Sequence, residues 1–292
     1  MDIKQLKYFT AVAEEGTISA AAKRLYVSQP PLSTQMQLLE RELGCKLFER
    51  GQKKIRLTDA GKLLYERATL ILDMEEVAVQ DVKACSRSEN VTVRIGIVSS
   101  VVCSAADRLA DFLRQSPEIR FEIFESDTYS LLEKLHAGVI HLAIIRTPFS
   151  DDGITFHSLS VEKMTAVGNA DIPGDSVTMK ELSKLPLILY RRWQSIISNE
   201  FASLGLDINC VCICDDARTA VKLAEKRAGT ALVPSSASSL ITSENTVCAE
   251  ISDCSVRSEI VLAYKDNSYL PEGVKCFIDY MTGKKALQFC SP

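Results

Sequence analysis

The sequence predicts an α/β protein in two parts: a small helical head with a two-stranded ribbon, and a larger α/β body joined to it by one long helix. Three observations carry this. Residues 1–50 show helical apolar spacing punctuated by glycines, one amphipathic run extends from Asp59 to about Cys85, and strands alternate with helices from Val91 onward. At 292 residues the chain is long enough for two or three cores.

In the head, Ile3, Leu6, Phe9, Val12 and Ala13 recur at helical spacing, and Gly16 ends the run. Thr17 is placed to cap a second helix, Ile18 to Leu25, whose Ala20, Ala21 and Ala22 admit a close neighbour. After a turn at Tyr26-Val27, Ser28 takes an N-cap position and Gln29-Pro30-Pro31 opens a third helix. Leu32, Met36, Leu39 and Leu43 form its inward stripe, and Gly44 stops it. The basic stretch from Leu47 to Leu57, bent at Gly51, reads as a wing. Thr58-Asp59 then caps the long helix. On it Leu64, Ala68, Ile71, Ala78 and Val82 form a seam, widened by Leu63, Leu70, Met74 and Val77. One helix cannot bury so broad a stripe alone, so pairing with a second copy is expected.

In the body, Val91, Val93, Ile95 and Ile97 alternate as a strand. Further strands are expected at Phe121–Phe124, Leu142–Ile145, Leu187–Tyr190, Val211–Cys214, Thr230–Val233 and Ile260–Tyr264. Helices such as Tyr129–Ala137, Ala217–Arg227 and Val274–Gly283 fall between them. The rhythm predicts a largely parallel sheet in two lobes. The expected domains are 1–58 (head), 59–88 (linking helix) and 91–292 (body). Its first lobe takes about 91–160 and 267–292, its second about 161–266.

Composition narrows the function. The net charge of −4 hides a head at +3 and a remainder at −7, so only the head suits a polyanion. The chain has no 18-residue apolar run and its first residues lack a secretory core, so a cytoplasmic protein without membrane contact is expected. Ten cysteines are scattered without CxxC pairs; free thiols are expected, with neither metal nor cofactor.

The stretch Ala20-Ala21-Ala22-Lys23-Arg24-Leu25-Tyr26-Val27-Ser28-Gln29-Pro30-Pro31-Leu32-Ser33, with Leu38-Leu39-Glu40 and Leu43-Gly44, resembles the winged helix-turn-helix of LysR-type transcriptional regulators. So do Leu47-Phe48-Glu49-Arg50 and Leu57-Thr58-Asp59-Ala60-Gly61. The body matches more weakly, through Gly96 after the first strand, Leu142–Ile145 and Gly229-Thr230-Ala231-Leu232-Val233-Pro234. The resemblance implies a periplasmic-binding-protein-like effector domain, homodimers or homotetramers, ligand-controlled transcription, and double-stranded DNA as partner, with RNA polymerase a further candidate.

In a helix-turn-helix the second helix of the motif enters the major groove, its N-terminal residues toward base edges. Here these are Ser28, Gln29, Pro30, Ser33, Thr34 and Gln37. Gln29 can pair with adenine, and the resemblance implies base reading from Gln29, Pro30 and Ser33. Thr34 departs from the long basic residue the family often carries there. Arg50, Lys53, Lys54 and Arg56 suit phosphates or the minor groove. Singly, each of these is ordinary helix surface; the constellation points to DNA.

Ligands of open α/β sheets sit beyond the carboxyl ends of strands, where helix N-termini favour anions. Ser99 and Ser100 end the first body strand, Thr128 precedes a helix, Arg146 follows a strand and suits a carboxylate, and Arg218 and Thr219 open another helix. The resemblance implies that these positions line an effector pocket, and a small organic anion is the expected ligand. The plain alternatives are that the hydroxyls cap helices and that Arg146 pairs with an acid. Arg191, Arg192 and Trp193 suit either the cleft or an oligomer surface.

Two rival functions remain. Cys210, Cys212 and Cys214 alternate, so a regular strand puts them on one face, and with Cys103 they raise a redox-sensing regulator; residues two apart on a strand are poorly spaced for a disulfide. His136, His141 and His157 raise a hydrolytic enzyme with Ser99 or Cys103 as nucleophile, but no nucleophile elbow or phosphate loop accompanies them.

Overall fold

A computed structural model describes residues 1–50, 55–87, 92–150, 153–169, 172, 174–265 and 270–284. The chain separates into two compact units, Met1–Glu89 with Ala137–Val139, and Asn90–His136 with Ile140–Pro292.

The first unit contains α1 (Ile3–Glu15), α2 (Ile18–Arg24), α3 (Gln29–Leu43), β1 (Phe48–Arg50), β2 (Ile55–Leu57) and α4 (Asp59–Arg87). Asp2 and Gln5 form a capping box for α1, and the Thr17 hydroxyl caps α2 by accepting from the Ala20 N–H. Leu6, Phe9, Val12, Ala21, Leu32 and Leu39 close one core, each large side chain contributing roughly 1.5–3 kcal/mol on burial. Leu43, expected in the α3 stripe, is exposed at the helix end. A Cβ on Gly61 would lie 2.1 Å from the Leu47 carbonyl oxygen, so only glycine lets the first turn of α4 run this close to the wing. Along α4, Ala68 and Val77 are buried, whereas Leu63, Ile71, Met74, Ala78 and Val82 are exposed on one side.

The second unit contains β3 (Thr92–Ile97), α5 (Val102–Gln115), β4 (Arg120–Glu125), α6 (Thr128–His136), β5 (Leu142–Arg146), β6 (Ile154–Gly168), β7 (Ser176–Val177) and α7 (Met179–Leu182). Then come β8 (Leu187–Tyr190), α8 (Arg191–Ser203), β9 (Cys210–Cys214), α9 (Ala217–Glu225), β10 (Thr230–Pro234), β11 (Val247–Ile251), β12 (Arg257–Lys265) and α10 (Glu272–Thr282). Short 3-10 turns occupy Ser99–Val101 and Ser235–Leu240. The strand order is β4-β3-β5-β12-β6-β10-β8-β9, with β11 on β6 and β7 on β11.

The sheet is mixed rather than largely parallel. The neighbours of β3, and the pairs β8–β9 and β8–β10, are parallel, but β6 runs antiparallel to β10, β11 and β12, and β12 antiparallel to β5. The cause is β6, which enters the first lobe's sheet at Ile154 and leaves it after Lys163; Met164–Gly168 belong to the second. β12, expected within 161–266 of the second lobe, pairs with first-lobe β5 from Ile260 to Ala263. Gly96 lies inside β3, not after it. A Cβ there would meet Leu131 at 2.7 Å and Ile140 at 2.8 Å, so the glycine lets α6 settle directly onto the sheet.

Candidate DNA-binding and effector sites

The expected base-reading residues share one outward side of α3. Gln29, Pro30, Thr34 and Gln37 are exposed and Ser33 is half-buried; Arg41, which sequence reasoning missed, continues the same exposed side one turn on. Ser28 has extended backbone, but its hydroxyl makes no cap bond. The reason is chemical: the two N–H groups that a capping serine engages would belong to Pro30 and Pro31, which have none. The Ser28 hydroxyl is therefore free for another acceptor. Ser19 donates to Gln29 Oε1 at 3.0 Å, fixing that side chain from α2, while the Thr34 hydroxyl is turned back on the Pro30 carbonyl at 3.1 Å.

Glu40 ties α3 to the wing. Its carboxylate accepts the Leu47 N–H at 2.9 Å and the Lys46 ammonium at 2.7 Å. Burial opposes its ionisation, but these donors outweigh it and hold the carboxyl below its usual range. The wing pairs Phe48 with Leu57, Glu49 with Arg56 and Arg50 with Ile55, and Arg56 is exposed. Lys53, Lys54 and the Arg50 side chain lie outside the described residues.

In the second unit, six carboxyl ends converge from the two lobes. β3, β4 and β5 deliver Ser99-Ser100, Thr128 and Arg146; β8, β9 and β10 deliver Arg192, Asp216 and Ser236. Arg146 is not available to a ligand. Its side chain is 0% exposed and its Nε–H donates to Ser100 Oγ at 2.9 Å. Nη1 donates to Glu162 at 3.0 Å and Ser258 Oγ at 2.8 Å, and Nη2 to the Ser100 carbonyl at 3.3 Å and Ser236 Oγ at 2.5 Å. A guanidinium has five N–H donors, and all five are used. The acid-pairing alternative holds: burial lowers the Arg146 pKa, and Glu162 opposes that loss. Ser100 is a buried acceptor in this network rather than a free hydroxyl.

Arg218 is also engaged, with Glu125 across the cleft at 2.5 Å and with Asp216 at 2.7 Å. Asp216 caps α9 and is hydrogen-bonded by Ser99; burial raises its pKa, but Arg218 and Ser99 bring it below the ordinary value. Thr219 is exposed. Thr128 begins α6, capped by Asp127, and the threonine hydroxyl is buried with no hydrogen-bond partner among the described residues.

Arg192, left between cleft and oligomer surface by the sequence, sits in the cleft. It is the second residue of α8 in the second lobe and donates to the Arg146 and Pro148 carbonyls of the first. Its Nε is buried and finds no partner among the described residues. Burial lowers its pKa, and the fields of Tyr190, Tyr129 and Asp127 oppose that shift. Ser236, which sequence reasoning missed, follows a strand as a Ser-Ser pair just as Ser100 does, so the signal was present. Glu225 fixes the turn that carries Ser236, accepting the Thr242 N–H at 2.6 Å and the Lys222 ammonium at 2.9 Å.

The three histidines do not come together. His141 contacts Arg94 at 2.9 Å and His157 contacts the Tyr264 hydroxyl at 3.1 Å, while His136 is exposed at the end of α6. On β9 a bulge sets Cys210 opposite Leu187 but Cys212 opposite Ile188, so the three cysteines do not keep a regular alternation.

Comparison with known proteins agrees with this architecture. The family model for the bacterial regulatory helix-turn-helix protein, lysR family, matches residues 3–62, and that for the LysR substrate binding domain matches residues 86–286. The HTH-type transcriptional regulator BsdA of Bacillus subtilis (strain 168) is 31% identical over 290 residues, covering 96% of this chain and 99% of that protein. The crystal structure of CbnR, a LysR family transcriptional regulator, has a TM-score of 0.77 at 27% identity, covering 96% of this chain and 98% of CbnR. Full-length CbnR complexed with its target DNA gives 0.75 at 27% identity, over 98% of this chain and 100% of that one. Among the described residues no helix is long and apolar enough to cross a membrane. The chain belongs to the LysR family of DNA-binding transcriptional regulators, a family of regulators rather than enzymes.

Proposed function

We propose that the chain regulates transcription in the cytoplasm as a homodimer or homotetramer whose lobes close on a small organic carboxylate. In this reading α3 lies in the major groove, with Ser28, Gln29, Pro30, Ser33, Thr34 and Gln37 toward bases and Arg50, Lys53, Lys54 and Arg56 toward phosphates. The carboxylate meets Arg192 in place of Arg146, with Thr128 supplying a hydroxyl, while the Ser99 O–H is engaged by Asp216. The observation that carries the reading is the pair of orphans, Thr128 Oγ1 and Arg192 Nε, both buried without a partner among the described residues. A buried polar atom without a partner costs about 1–3 kcal/mol, which a ligand accepting or donating there recovers. The Arg192 hydrogen bonds go to main-chain carbonyls, so no hydrogen-bonded carboxylate cancels its charge.

An effector acts only by binding two arrangements unequally, and a coupling of roughly 1–3 kcal/mol is enough to shift DNA binding. Thermal unfolding with a panel of small mono- and dicarboxylates tests the proposal. At least one should raise Tm for the wild type and not for Thr128→Val; no response to any carboxylate, or an undiminished response in the variant, overturns it. Redox sensing has less support at Cys214, since burial and the hydrogen bond shared with Cys212 push its thiol up to about 11.

A further inference from the structure

Cys212 and Cys214 lie two residues apart on β9, the last strand of the sheet, and their Sγ atoms are 3.7 Å from each other. Side chains at i and i+2 of a regular strand stand roughly 7 Å apart, so the two thiols lean together. Cys210 does not join them. The bulge takes it out of step, and its Sγ donates to the Cys212 carbonyl at 3.5 Å. Two sulfurs converge, one buried at Cys214 and one partly buried at Cys212.

The separation suits an atom held between the sulfurs better than a bond joining them. A soft centre with bonds of about 2.3 Å to each sulfur and a near-tetrahedral angle spans roughly 3.8 Å. A disulfide of about 2.05 Å would require the sulfurs to close by roughly 1.7 Å. A closed zinc site needs four ligands, and among the described residues no group of three or more His, Cys, Asp or Glu is arranged to hold a metal. A centre that takes two thiols and keeps its third bond for another group fits this arrangement.

We propose that Cys212 and Cys214 form a dithiol site for trivalent arsenicals of the type R–As=O, independent of the effector cleft. Two As–S bonds form, the As=O bond is broken, and both thiol protons leave with that oxygen as one water molecule. Arsenic stays trivalent and nothing is oxidised. Because the protons leave in water, the balanced reaction releases no net acid, and the high pKa of the Cys214 thiol is no obstacle to the product.

The test uses the full chain, one equivalent of phenylarsine oxide, and gel filtration in excess glutathione, a monothiol, followed by measurement of retained arsenic. Wild type and Cys210→Ser should each retain about one equivalent, released by a 1,2-dithiol. Cys212→Ser, at a partly buried position and checked for fold by circular dichroism, should retain less than a tenth of that. Retention by Cys212→Ser equal to wild type, loss in Cys210→Ser, or no retention by the wild type overturns the assignment. Cys214→Ser should match Cys212→Ser; if it fails to fold, Cys212→Ser decides alone.

Discussion

Arg146 Nη1 lies 3.0 Å from the Glu162 carboxylate, two strands away in the sheet, and the arginine side chain is wholly buried. The pair joins β5 to the crossing strand β6 and, through Ser236, to the second lobe. Removing one member strands the other as a buried charge. Arg146→Ala should therefore lower unfolding stability in urea by about 3–5 kcal/mol, and Glu162→Ala should add little to it in the double variant. A loss below about 1 kcal/mol for Arg146→Ala would show that the network carries no weight.

Thr128→Val replaces an orphan hydroxyl by a methyl of similar shape. Stability should hold or rise by up to about 1–3 kcal/mol, since the desolvated oxygen disappears, while any carboxylate response is lost and basal DNA binding remains. Destabilisation would mean that the hydroxyl has a partner.

On the DNA side, Arg56→Ala should weaken binding to all duplexes alike and reduce the slope of log affinity against log salt by roughly one. Gln29→Ala should instead relax sequence preference, by about 1–3 kcal/mol at one base pair. Titrations of a matched and a scrambled duplex at several salt concentrations separate the two effects.

The exposed stripe Leu63, Ile71, Met74, Ala78 and Val82 on α4 predicts that Ile71→Glu with Met74→Glu shifts the protein toward monomer in sedimentation velocity. DNA affinity should fall with it, because half-site contacts then act singly. An unchanged sedimentation coefficient counts against pairing through this helix.

Acid sensitivity has a local source. The Lys222 ammonium and the Thr242 and Ser243 N–H groups bring the Glu225 carboxyl from its ordinary 4.5 down to about 2. The folded value is the lower one, so this stabilisation is fully present above about 4.5 and is lost as pH falls toward 2. Glu225→Gln should flatten the fall of stability across that window in urea unfolding; an unchanged slope would place the acid sensitivity elsewhere.

The head was legible because its signals are local. Thr17, Gly16 and Gly44 mark helix ends within a few residues of what they terminate, and the two prolines after Ser28 mark a helix start. The 15 residues of β6 were not legible: Ile154–Lys163 mostly alternate between exposed and partly covered, whereas Met164–Gly168 are all buried, so no single period runs through the strand. The same limit explains Arg146. Its place at a strand end was readable, but Glu162 reaches it only because β12 inserts between β5 and β6, a long-range pairing that spacing does not reveal. A smaller point was hidden by the one-residue bulge at Val211, which takes Cys210 out of step with Cys212 and Cys214.

That Glu162 stands one residue before β6 leaves the first sheet has a mechanical consequence. If the lobes swing, the strand acts as a lever and this crossing as its fulcrum, where displacement is least. Rim contacts such as Arg218–Glu125 must stretch first, while the anchored charge beneath them stays put.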